Sequence, residues 1–418
     1  MDINISFKRG VWSFMKILVL TSIYPQLDDE KNIGVTPVVQ YFSEEWVKQG
    51  HEVLVVHNSS RYPKILYLLP DSVLKKINSK LGIVIPNYSQ SKELNSTING
   101  VKCFRLPLLK IIPKKMFSER QIQKQLIKIE KLLDNERFKP DLILGHWENP
   151  QIQLISKLKE IFNARTGLVF HALVYINQRR YTDLITNMIK NIDVLGARSN
   201  AIACEVKKLS QNAVEPFICY SGISDRYFHD VDDFFDLIGK KVKNSYIYVG
   251  RLIKRKNIDS LIMALGSVYE NNRFSLNVVG DGAEKYNLQM ICEKNELSDR
   301  ISFLGYKKRN DVIGLLCKSE IFVMISDNET FGLVYIEAMS QGCIVIASKN
   351  GGMDGIIVHG FNGFLCEQGN KNELASIITM IRNMSSHEKN EIVLNALKTS
   401  RKFSDSNVAK KYLENVLR

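Results

Sequence analysis

The stretch NETFGLVYIEAMSQGCIVIAS, residues 328–348, shows how the second half of the chain is built. Two carboxylates, Glu329 and Glu337, stand eight positions apart. The pattern predicts a helix that begins near Thr330 or Phe331, followed by an apolar strand. Eight helical residues rise roughly 12 Å, so the two carboxylates lie on nearly the same face, about two turns apart. A helix that leads into an apolar strand is a unit of a parallel α/β sheet.

The same alternation of apolar strands and helices runs along most of the chain. Continuous apolar strands flanked by helices indicate a parallel sheet that is covered on both faces, and right-handed crossovers make such a sheet doubly wound. The polar segment 222–244 has weak periodicity and interrupts the series. We therefore predict an α/β protein with two Rossmann-like, doubly wound parallel-sheet domains that face one another across a cleft.

The predicted boundaries follow from these interruptions. They are an N-terminal extension (1–14), a first domain (15–224), a linker (225–244), a second domain (245–400) and a C-terminal helix that returns to the first domain (401–418). The strands predicted for the second domain are Tyr246–Val249, Leu276–Val279, Ile301–Leu304, Ile321–Ile325 and Ile344–Ala347.

Composition restricts the class of protein and its surroundings. The 418 residues carry a formal net charge of +13, which favours an anionic partner: nucleic acid, a phosphorylated ligand or a membrane surface. Seven scattered cysteines without a CxxC pair are typical of a reducing compartment and do not indicate a metal site. The sequence contains no run of about 18 apolar residues, so no membrane span is predicted. Residues 1–14 lack the features of a signal peptide.

Ligands of open α/β sheets bind beyond the carboxyl ends of the strands, so the residues that follow each strand of the second domain are informative. After the first strand, Gly250 lets a ligand approach the backbone, and Arg251 and Lys256 are suited to phosphate at a helix start. A solvated basic loop is the alternative. After the second strand, GDG (280–282) is either part of a dinucleotide fingerprint or a plain turn.

The third and fourth strands end in further candidates. Tyr306 stands where a flat ring could bind, although it could also be an ordinary surface aromatic residue. In the opening stretch, the amides of residues 331–333 offer an anion site between two carboxylate acceptors, which matches the diphosphate and diols of a nucleotide sugar. Alternatively, Glu329 only interacts with the helix dipole and Glu337 is a surface acid.

Taken in order, VGRLIKRKN, VVGDG, FLGY and NETFGLVYIEAMSQGCIVIAS with the following NGG closely resemble the retaining glycosyltransferases of glycosyltransferase family 4, also called glycosyl transferases group 1. The resemblance is strong over about 245–364 and weaker over 15–224. It implies the GT-B fold, in which 15–224 is the acceptor-side domain and 245–400 binds the nucleotide-sugar donor.

The resemblance also implies roles for individual residues. Arg251 and Lys256 would hold the donor diphosphate and stabilise the leaving group. Glu329 would bind the donor sugar and Glu337 the ribose. The matched donor-binding positions also include Gly34, Gly250, Gly280, Tyr306, Phe331, Gly332 and Leu333.

His171, in GLVFHALV, matches the active-site histidine of the family, which touches the sugar or its diphosphate. Three positions depart from the family pattern. Ala172 replaces an acid that often follows the histidine, Gly34 is alone where two glycines are usual, and Gly355 stands where the family usually carries a glutamate.

The implied activity is that of a retaining hexosyltransferase. It would move a sugar from a UDP- or GDP-sugar to a hydroxyl of a glycan acceptor, which is lipid-linked, in bacterial surface polysaccharide, lipopolysaccharide or capsule synthesis. No carboxylate is assigned as a nucleophile, since same-face attack assisted by the leaving phosphate is the mechanism favoured in the family. No metal or other cofactor is expected, because the DVD of 230–232 lies in the predicted linker rather than after a strand.

Residues 61–120 hold 12 Lys and Arg against 3 Asp and Glu and interleave them with bulky apolar residues. This composition is typical of a surface that lies on anionic lipid, or else of an irregular insertion whose apolar residues pack inward. We expect a cytoplasmic protein at the inner face of the plasma membrane, and no motif supports nucleic-acid binding. The alternative functions are a GT-B sugar-nucleotide epimerase and a non-catalytic scaffold.

Overall fold

The structure is a computed structural model that describes residues 14–25, 37–70, 72–74, 77, 85, 92–112, 115–172, 178–229, 233–269, 273–327, 329 and 331–418. The chain divides into two compact units. The first comprises Met1–Cys219 and Ala409–Arg418, and the second comprises Tyr220–Val408. Gly34 and the DVD of 230–232 lie outside the described residues.

The first unit is built on an eight-stranded sheet within its described part. The strand order is β10-β9-β8-β7-β1-β2-β5-β4, and only the pairing of β4 with β5 is antiparallel. The bounds are β1 (Lys16–Thr21), β2 (Glu52–His57), β4 (Leu94–Ile98), β5 (Val101–Arg105), β7 (Leu142–His146), β8 (Arg165–Phe170), β9 (Val194–Ala197) and β10 (Phe217–Ile218). A separate small ribbon pairs β3 (Ser60–Arg61) with β6 (Leu108–Leu109).

Helices cover this sheet because its central strands are apolar throughout. Strands β1, β7 and β8 are buried along almost their whole length, as expected for strands packed on both faces. The helices are α1 (Val38–Lys48), α2 (Glu119–Asn135), α3 (Gln151–Phe162), α4 (Arg179–Ile189) and α5 (Asn200–Leu209). Strand β1 lies between β2 and β7, so the chain reverses its direction of winding there, and a ligand crevice is expected at the carboxyl ends of β1 and β7.

The second unit has a six-stranded, all-parallel sheet among its described residues, in the order β13-β12-β11-β14-β15-β16. The strands are β11 (Val242–Val249), β12 (Ser275–Val279), β13 (Ile301–Gly305), β14 (Ser319–Met324), β15 (Ile344–Ser348) and β16 (Phe364–Cys366). The helices are α6 (Phe234–Gly239), α7 (Ile258–Val268), α8 (Lys285–Lys294), α9 (Arg309–Lys318), α10 (Leu333–Ser340), α11 (Lys371–Asn383) and α12 (Ser386–Ser400). The direction of winding reverses between β11 and β14, which makes their carboxyl ends the expected ligand position.

The predicted α/β class with two doubly wound, Rossmann-like domains is confirmed. Two local predictions were wrong. The helix after β14 begins at Leu333 rather than at Thr330 or Phe331, because Gly332 takes a left-handed conformation (φ +74°) that a regular helix does not accommodate. The polar segment 222–244 is not irregular throughout, since it contains α6 and the start of β11.

The last helix, α13 (Asp405–Leu417), starts in the second unit, and its residues from Ala409 onward belong to the first. In the first unit, the indole nitrogen of Trp46 donates a 3.0 Å hydrogen bond to the carbonyl of Ala409, and Trp46 is fully buried. Among the helices described, none is both long and apolar enough to cross a membrane.

Candidate functional site

The ends of the strands β11, β12 and β13 are tied together by their backbones. The Gly250 amide donates to the Val279 carbonyl at 2.9 Å, and the Gly280 amide donates to the Gly305 carbonyl at 2.9 Å. Gly280 has φ +133°, and a Cβ atom there would lie 1.9 Å from the Gly250 carbonyl oxygen. Glycine is therefore required at position 280 by the close approach of two strand ends, whether or not a ligand contacts it.

The turn after β11 carries the predicted phosphate-binding cations. Arg251 is exposed, whereas Lys256 is buried at the end of a short 3₁₀ turn, Lys254–Lys256. The ammonium group of Lys256 donates to a carboxylate oxygen of Glu329 and lies 3.6 Å from the sulfur of Met324. Two of the predicted catalytic residues therefore form a mostly buried ion pair across the switch point of the second sheet.

Backbone and side-chain bonds on both sides hold this ion pair in place. The Asp327 amide donates to the Arg255 carbonyl at 2.7 Å, and the Arg255 guanidinium donates to the Asp327 carbonyl at 3.2 Å. The side-chain amide of Asn257 donates to the Ile325 carbonyl at 3.0 Å and to the Asp327 carboxylate at 2.8 Å. The segment after β11 is thus fastened to the segment after β14 on both sides of Lys256.

The start of α10 explains why Gly332 is a glycine. A Cβ atom at Gly332 would lie 2.6 Å from the ring of Tyr335, in addition to the left-handed backbone. Tyr335 is held beneath the turn by a 2.6 Å hydrogen bond from its hydroxyl to the Met324 carbonyl. The first amides of a helix lack intrahelical acceptors, so this turn presents donors close to Glu329. Of the three predicted amide donors, only Leu333 is inside the helix, while Gly332 is its N-cap and Phe331 precedes it.

The side chain of Phe331 has a packing role. It is buried, with its ring centroid 5.5 Å from Tyr220 and 6.0 Å from Phe403. This aromatic contact anchors the chain just before Gly332, so the turn cannot shift freely.

Glu337 lies on α10 and is buried, which excludes the alternative of a surface acid. Arg309, the first residue of α9, forms an ion pair with Glu337, in which a guanidinium nitrogen lies 2.7 Å from Oε1. Burial raises the pKa of Glu337, and the charge and hydrogen bond of Arg309 act in the opposite direction. A carboxylate can accept hydrogen bonds from several donors, so Glu337 keeps acceptor capacity beyond its pairing with Arg309.

Arg309 is a site residue that the sequence analysis missed. It follows β13 in FLGYKKRN, but only Tyr306 was singled out after that strand. The sequence feature that could have identified Arg309 is a cation soon after the end of a strand, the same feature that led to Arg251. Tyr306 itself is 63% exposed.

The first unit places His171 directly after β8 and beside two residues that the sequence analysis did not select. His146 Nδ1 lies 3.0 Å from His171 Nε2, and the Trp147 ring stacks on His171 with centroids 3.9 Å apart. Burial and the charge of Arg198 lower the pKa of His146 to about 3. Burial, His146 and the charge of Arg198 hold the pKa of His171 well below its usual range. Both imidazoles are therefore neutral at physiological pH.

Among the described residues, no group of three or more His, Cys, Asp and Glu side chains is arranged to hold a metal ion. The chemistry that the described side chains offer is hydrogen bonding and fixed positive charge. In the second unit, Lys256, Glu329 and the start of α10 are brought together. Glu337 lies farther along α10, where it pairs with Arg309 of α9.

Comparison with known proteins adds to this geometry. Residues 232–397 match the family model described as glycosyl transferases group 1. The chain is 28% identical over 247 residues to an uncharacterized glycosyltransferase of Methanocaldococcus jannaschii, covering 58% of this chain and 66% of that protein. It is 30% identical over 196 residues to the N-acetyl-alpha-D-glucosaminyl L-malate synthase of Bacillus anthracis, covering 46% and 51%.

A further relative is the poly(glycerol-phosphate) alpha-glucosyltransferase of Bacillus subtilis, 26% identical over 68% of this chain and 41% of that protein. The matches thus span about two fifths to two thirds of the length of these curated relatives.

Solved structures match over almost the whole chain. HepE of Anabaena in complex with UDP has a TM-score of 0.65 at 20% identity, covering 96% of this chain and 100% of that one. The lipopolysaccharide outer core galactosyltransferase WaaB, in its apo form, has a TM-score of 0.64 at 16% identity, covering 96% and 99%. These likenesses establish the GT-B fold, and the family match supports the resemblance to GT-B glycosyltransferases.

The Lys256–Glu329 pair gives the first testable prediction. Lys256→Met leaves a largely buried carboxylate without its cation, so the free energy of unfolding should fall by about 2–4 kcal/mol. The double variant Lys256→Met/Glu329→Gln removes both charges and should recover part of this loss. Urea titration followed by circular dichroism measures both effects.

The matched control for this cycle is Lys254→Met, which removes an exposed lysine from the same turn and should change stability little. Equal stability of Lys256→Met and the wild type would contradict the ion pair.

Proposed function

We propose that the protein is a retaining hexosyltransferase of glycosyltransferase family 4, which transfers a sugar from a nucleoside-diphosphate sugar to a hydroxyl of a glycan acceptor. The observation that carries this proposal is the buried Lys256–Glu329 pair beside the start of α10, at the switch point of the second sheet. This place in a doubly wound sheet is where nucleotide ligands bind, and its groups suit a diphosphate joined to a sugar.

The diphosphate is the leaving group, so catalysis depends on stabilising the negative charge that develops on it. Arg251 and Lys256 supply positive charge, and the amides at the start of α10 supply donors. Lys256 already carries a carboxylate partner, which keeps its ammonium group in place before the donor arrives. A preorganised cation of this kind does not have to reorient during the reaction.

The two glutamates bind the hydroxyls of the sugar and of the ribose. Glu329 accepts hydrogen bonds from the transferred sugar while it remains paired with Lys256, and Glu337 accepts from the ribose diol. Arg309 is a positioning residue for Glu337, since it favours the ionised form of a buried carboxylate. His171 contacts the sugar or its diphosphate, as the resemblance implies.

The proposed stereochemical outcome is retention. None of the site carboxylates is assigned as a nucleophile, because Glu329 is engaged by Lys256 and Glu337 by Arg309. Attack on the same face with help from the leaving phosphate is the corresponding mechanism. We also propose that the reaction requires no metal ion, since the cations of the site come from side chains.

A uridine nucleotide is the first donor to test, because the structurally similar HepE was solved with UDP. The melting temperature of the purified protein should rise with UDP or a UDP-sugar by several degrees at saturation, because a ligand that binds only the native state stabilises it. GDP- and ADP-sugars are compared in the same screen. Arg251→Ala should lose most of the shift, since its exposed guanidinium is available to the diphosphate.

The control for this variant is Arg273→Ala, which removes another exposed arginine of the second unit, just before β12. Its shift should equal that of the wild type. The absence of a shift with every nucleotide, or an unchanged shift in Arg251→Ala, would count against the donor site.

We further propose that the acceptor is lipid-linked and that the protein works at the inner face of the plasma membrane, in the synthesis of a surface polysaccharide. The names of two similar proteins, a lipopolysaccharide outer core galactosyltransferase and a poly(glycerol-phosphate) alpha-glucosyltransferase, support an envelope polymer as acceptor.

A basic apolar surface on the first unit supports membrane contact, and we define it as residues 64–68 with 109–112. Apolar side chains stand out from it, with exposures of 69% for Ile65, 83% for Leu68, 68% for Ile111 and 53% for Ile112. Lys64 is exposed among them, and an adjoining groove of about 650 Å³ is lined in part by Arg61 and Lys92. Exposed apolar residues among cations suit the interface of an anionic bilayer.

Vesicle binding tests this surface. The wild type should float with vesicles that contain phosphatidylglycerol, and Ile65→Ser/Leu68→Ser should reduce the bound fraction about tenfold or more, because two apolar anchors are lost. Binding should also weaken as salt is raised. The control is Ile161→Ser, which removes an exposed isoleucine at the end of α3. Equal binding of all three proteins would contradict the assignment.

A further inference from the structure

Three side chains of the first unit form a hydrogen-bonded row. The hydroxyl of Tyr412 lies 3.2 Å from Nε2 of His146, and Nδ1 of His146 lies 3.0 Å from Nε2 of His171. Tyr412 and His146 are buried, whereas His171 is partly exposed at the end of the row. The row therefore runs from the interior of the unit to a half-buried histidine at its end.

The fold brings these residues together from distant parts of the chain. His146 ends β7 and His171 follows β8, and the two strands are parallel neighbours with His146 in register with Val169. Tyr412 comes from α13, which is fastened to the first unit by the bond from Trp46 to the Ala409 carbonyl.

Packing holds the rings in these positions. The backbone of Trp147 is in the left-handed region (φ +66°), which is rare for a bulky residue and costs energy. This conformation accompanies the stacking of Trp147 on His171, with an angle of 21° between the rings. The His146 ring packs against both Phe42, at 6.0 Å, and Tyr412, at 5.6 Å. This packing hinders flipping of either imidazole ring.

All three groups are neutral near pH 7. Burial and Arg198 lower the pKa of both histidines, and burial raises the pKa of Tyr412 well above its usual range. Cys219 is a polar neighbour of Tyr412, its pKa is raised to about 11 by burial, and its carbonyl accepts a hydrogen bond from Arg198. The row therefore contains one phenol proton and one proton on each imidazole.

Only two arrangements of these protons are consistent with both hydrogen bonds. In the first, Tyr412 donates to Nε2 of His146, whose Nδ1 donates to Nε2 of His171, and the proton of His171 is on Nδ1. In the second, all donors are reversed, and the phenol proton of Tyr412 must find a different acceptor. Among the described residues, the hydrogen-bond partner of the Tyr412 hydroxyl is His146. The first arrangement gives the buried phenol proton of Tyr412 an acceptor, whereas the second leaves it without one, and an unsatisfied buried hydroxyl is costly.

We propose that Tyr412 and His146 are positioning residues that hold His171 as the neutral tautomer with its proton on Nδ1, so that His171 donates a hydrogen bond to an oxygen of the sugar nucleotide and does not act as a base. The identity of the ligand rests on the proposed function, whereas the tautomer rests on the row itself. The C-terminal helix is thereby a part of the active-site machinery.

The tautomer is measured directly by ¹H–¹⁵N NMR of the whole protein with ¹⁵N-labelled histidine. The signals of His171 are identified by their loss in His171→Gln, since the chain has seven histidines. In the wild type at neutral pH, both His146 and His171 should carry their proton on Nδ1. A proton on Nε2 of His171 would overturn the proposal, and this measurement needs no ligand.

Tyr412→Phe removes only the hydroxyl and keeps the packed ring. His146 then loses its donor, so His171 should become a mixture of tautomers. The value of kcat should fall about two- to tenfold, the effect of losing one hydrogen bond, with little change in the donor KM. An unchanged His171 spectrum in Tyr412→Phe would also overturn the proposal.

The matched control is Tyr246→Phe, which removes a buried tyrosine hydroxyl from the second unit, where it contacts Tyr269. It should reduce stability without altering the His171 signals, and this separates a loss of stability from a loss of positioning. If no sugar nucleotide is turned over or bound by the wild type while His171 carries its proton on Nδ1, the proposed function fails and the tautomer assignment stands. If a sugar nucleotide is turned over but the proton of His171 is on Nε2, the tautomer assignment fails and the proposed function stands.

Discussion

The buried ion pair between Lys256 and Glu329 is the interaction on which the second unit depends. It joins the segments that follow β11 and β14, the two strands between which the winding of the sheet reverses. Burying a lysine ammonium or a carboxylate costs desolvation free energy unless the two are paired. If one of them is removed, the other must therefore become exposed or neutral. The same requirement keeps a cation and a hydrogen-bond acceptor side by side, which is the combination that a phosphorylated sugar needs.

Two ion pairs therefore hold side chains of the proposed site in place before a ligand binds. Glu329 restrains Lys256 where a diphosphate is proposed to bind, and Arg309 keeps a buried Glu337 disposed toward its ionised form where a ribose is proposed to bind. The first unit follows a different principle, since its row of Tyr412, His146 and His171 is neutral and directs hydrogen bonds instead of charge. A donor that is already oriented does not have to be reorganised by the reaction, which is the main advantage of a folded site over water.

The sequence predicted much of this fold because the determinants are local. Apolar strands, helix periods and the glycines at strand ends are visible in short windows, and the rule that ligands bind at the carboxyl ends of strands brought Arg251, Lys256 and Glu329 into consideration. The partners of the site residues were not predictable in this way. Tyr412 is 266 positions from His146, and no local pattern records that pairing. The start of α10 was also misplaced, since the left-handed backbone of Gly332 depends on the packing of Tyr335 beneath it.

Hydrogen–deuterium exchange with and without saturating UDP tests the central claim most directly, because it reports which amides a nucleotide covers. We predict slower exchange in residues 250–258 and 331–337 when UDP is bound, and loss of this protection in Lys256→Met. Binding of UDP that leaves both segments unchanged, or that protects other parts of the second unit instead, would contradict the assignment of the diphosphate site.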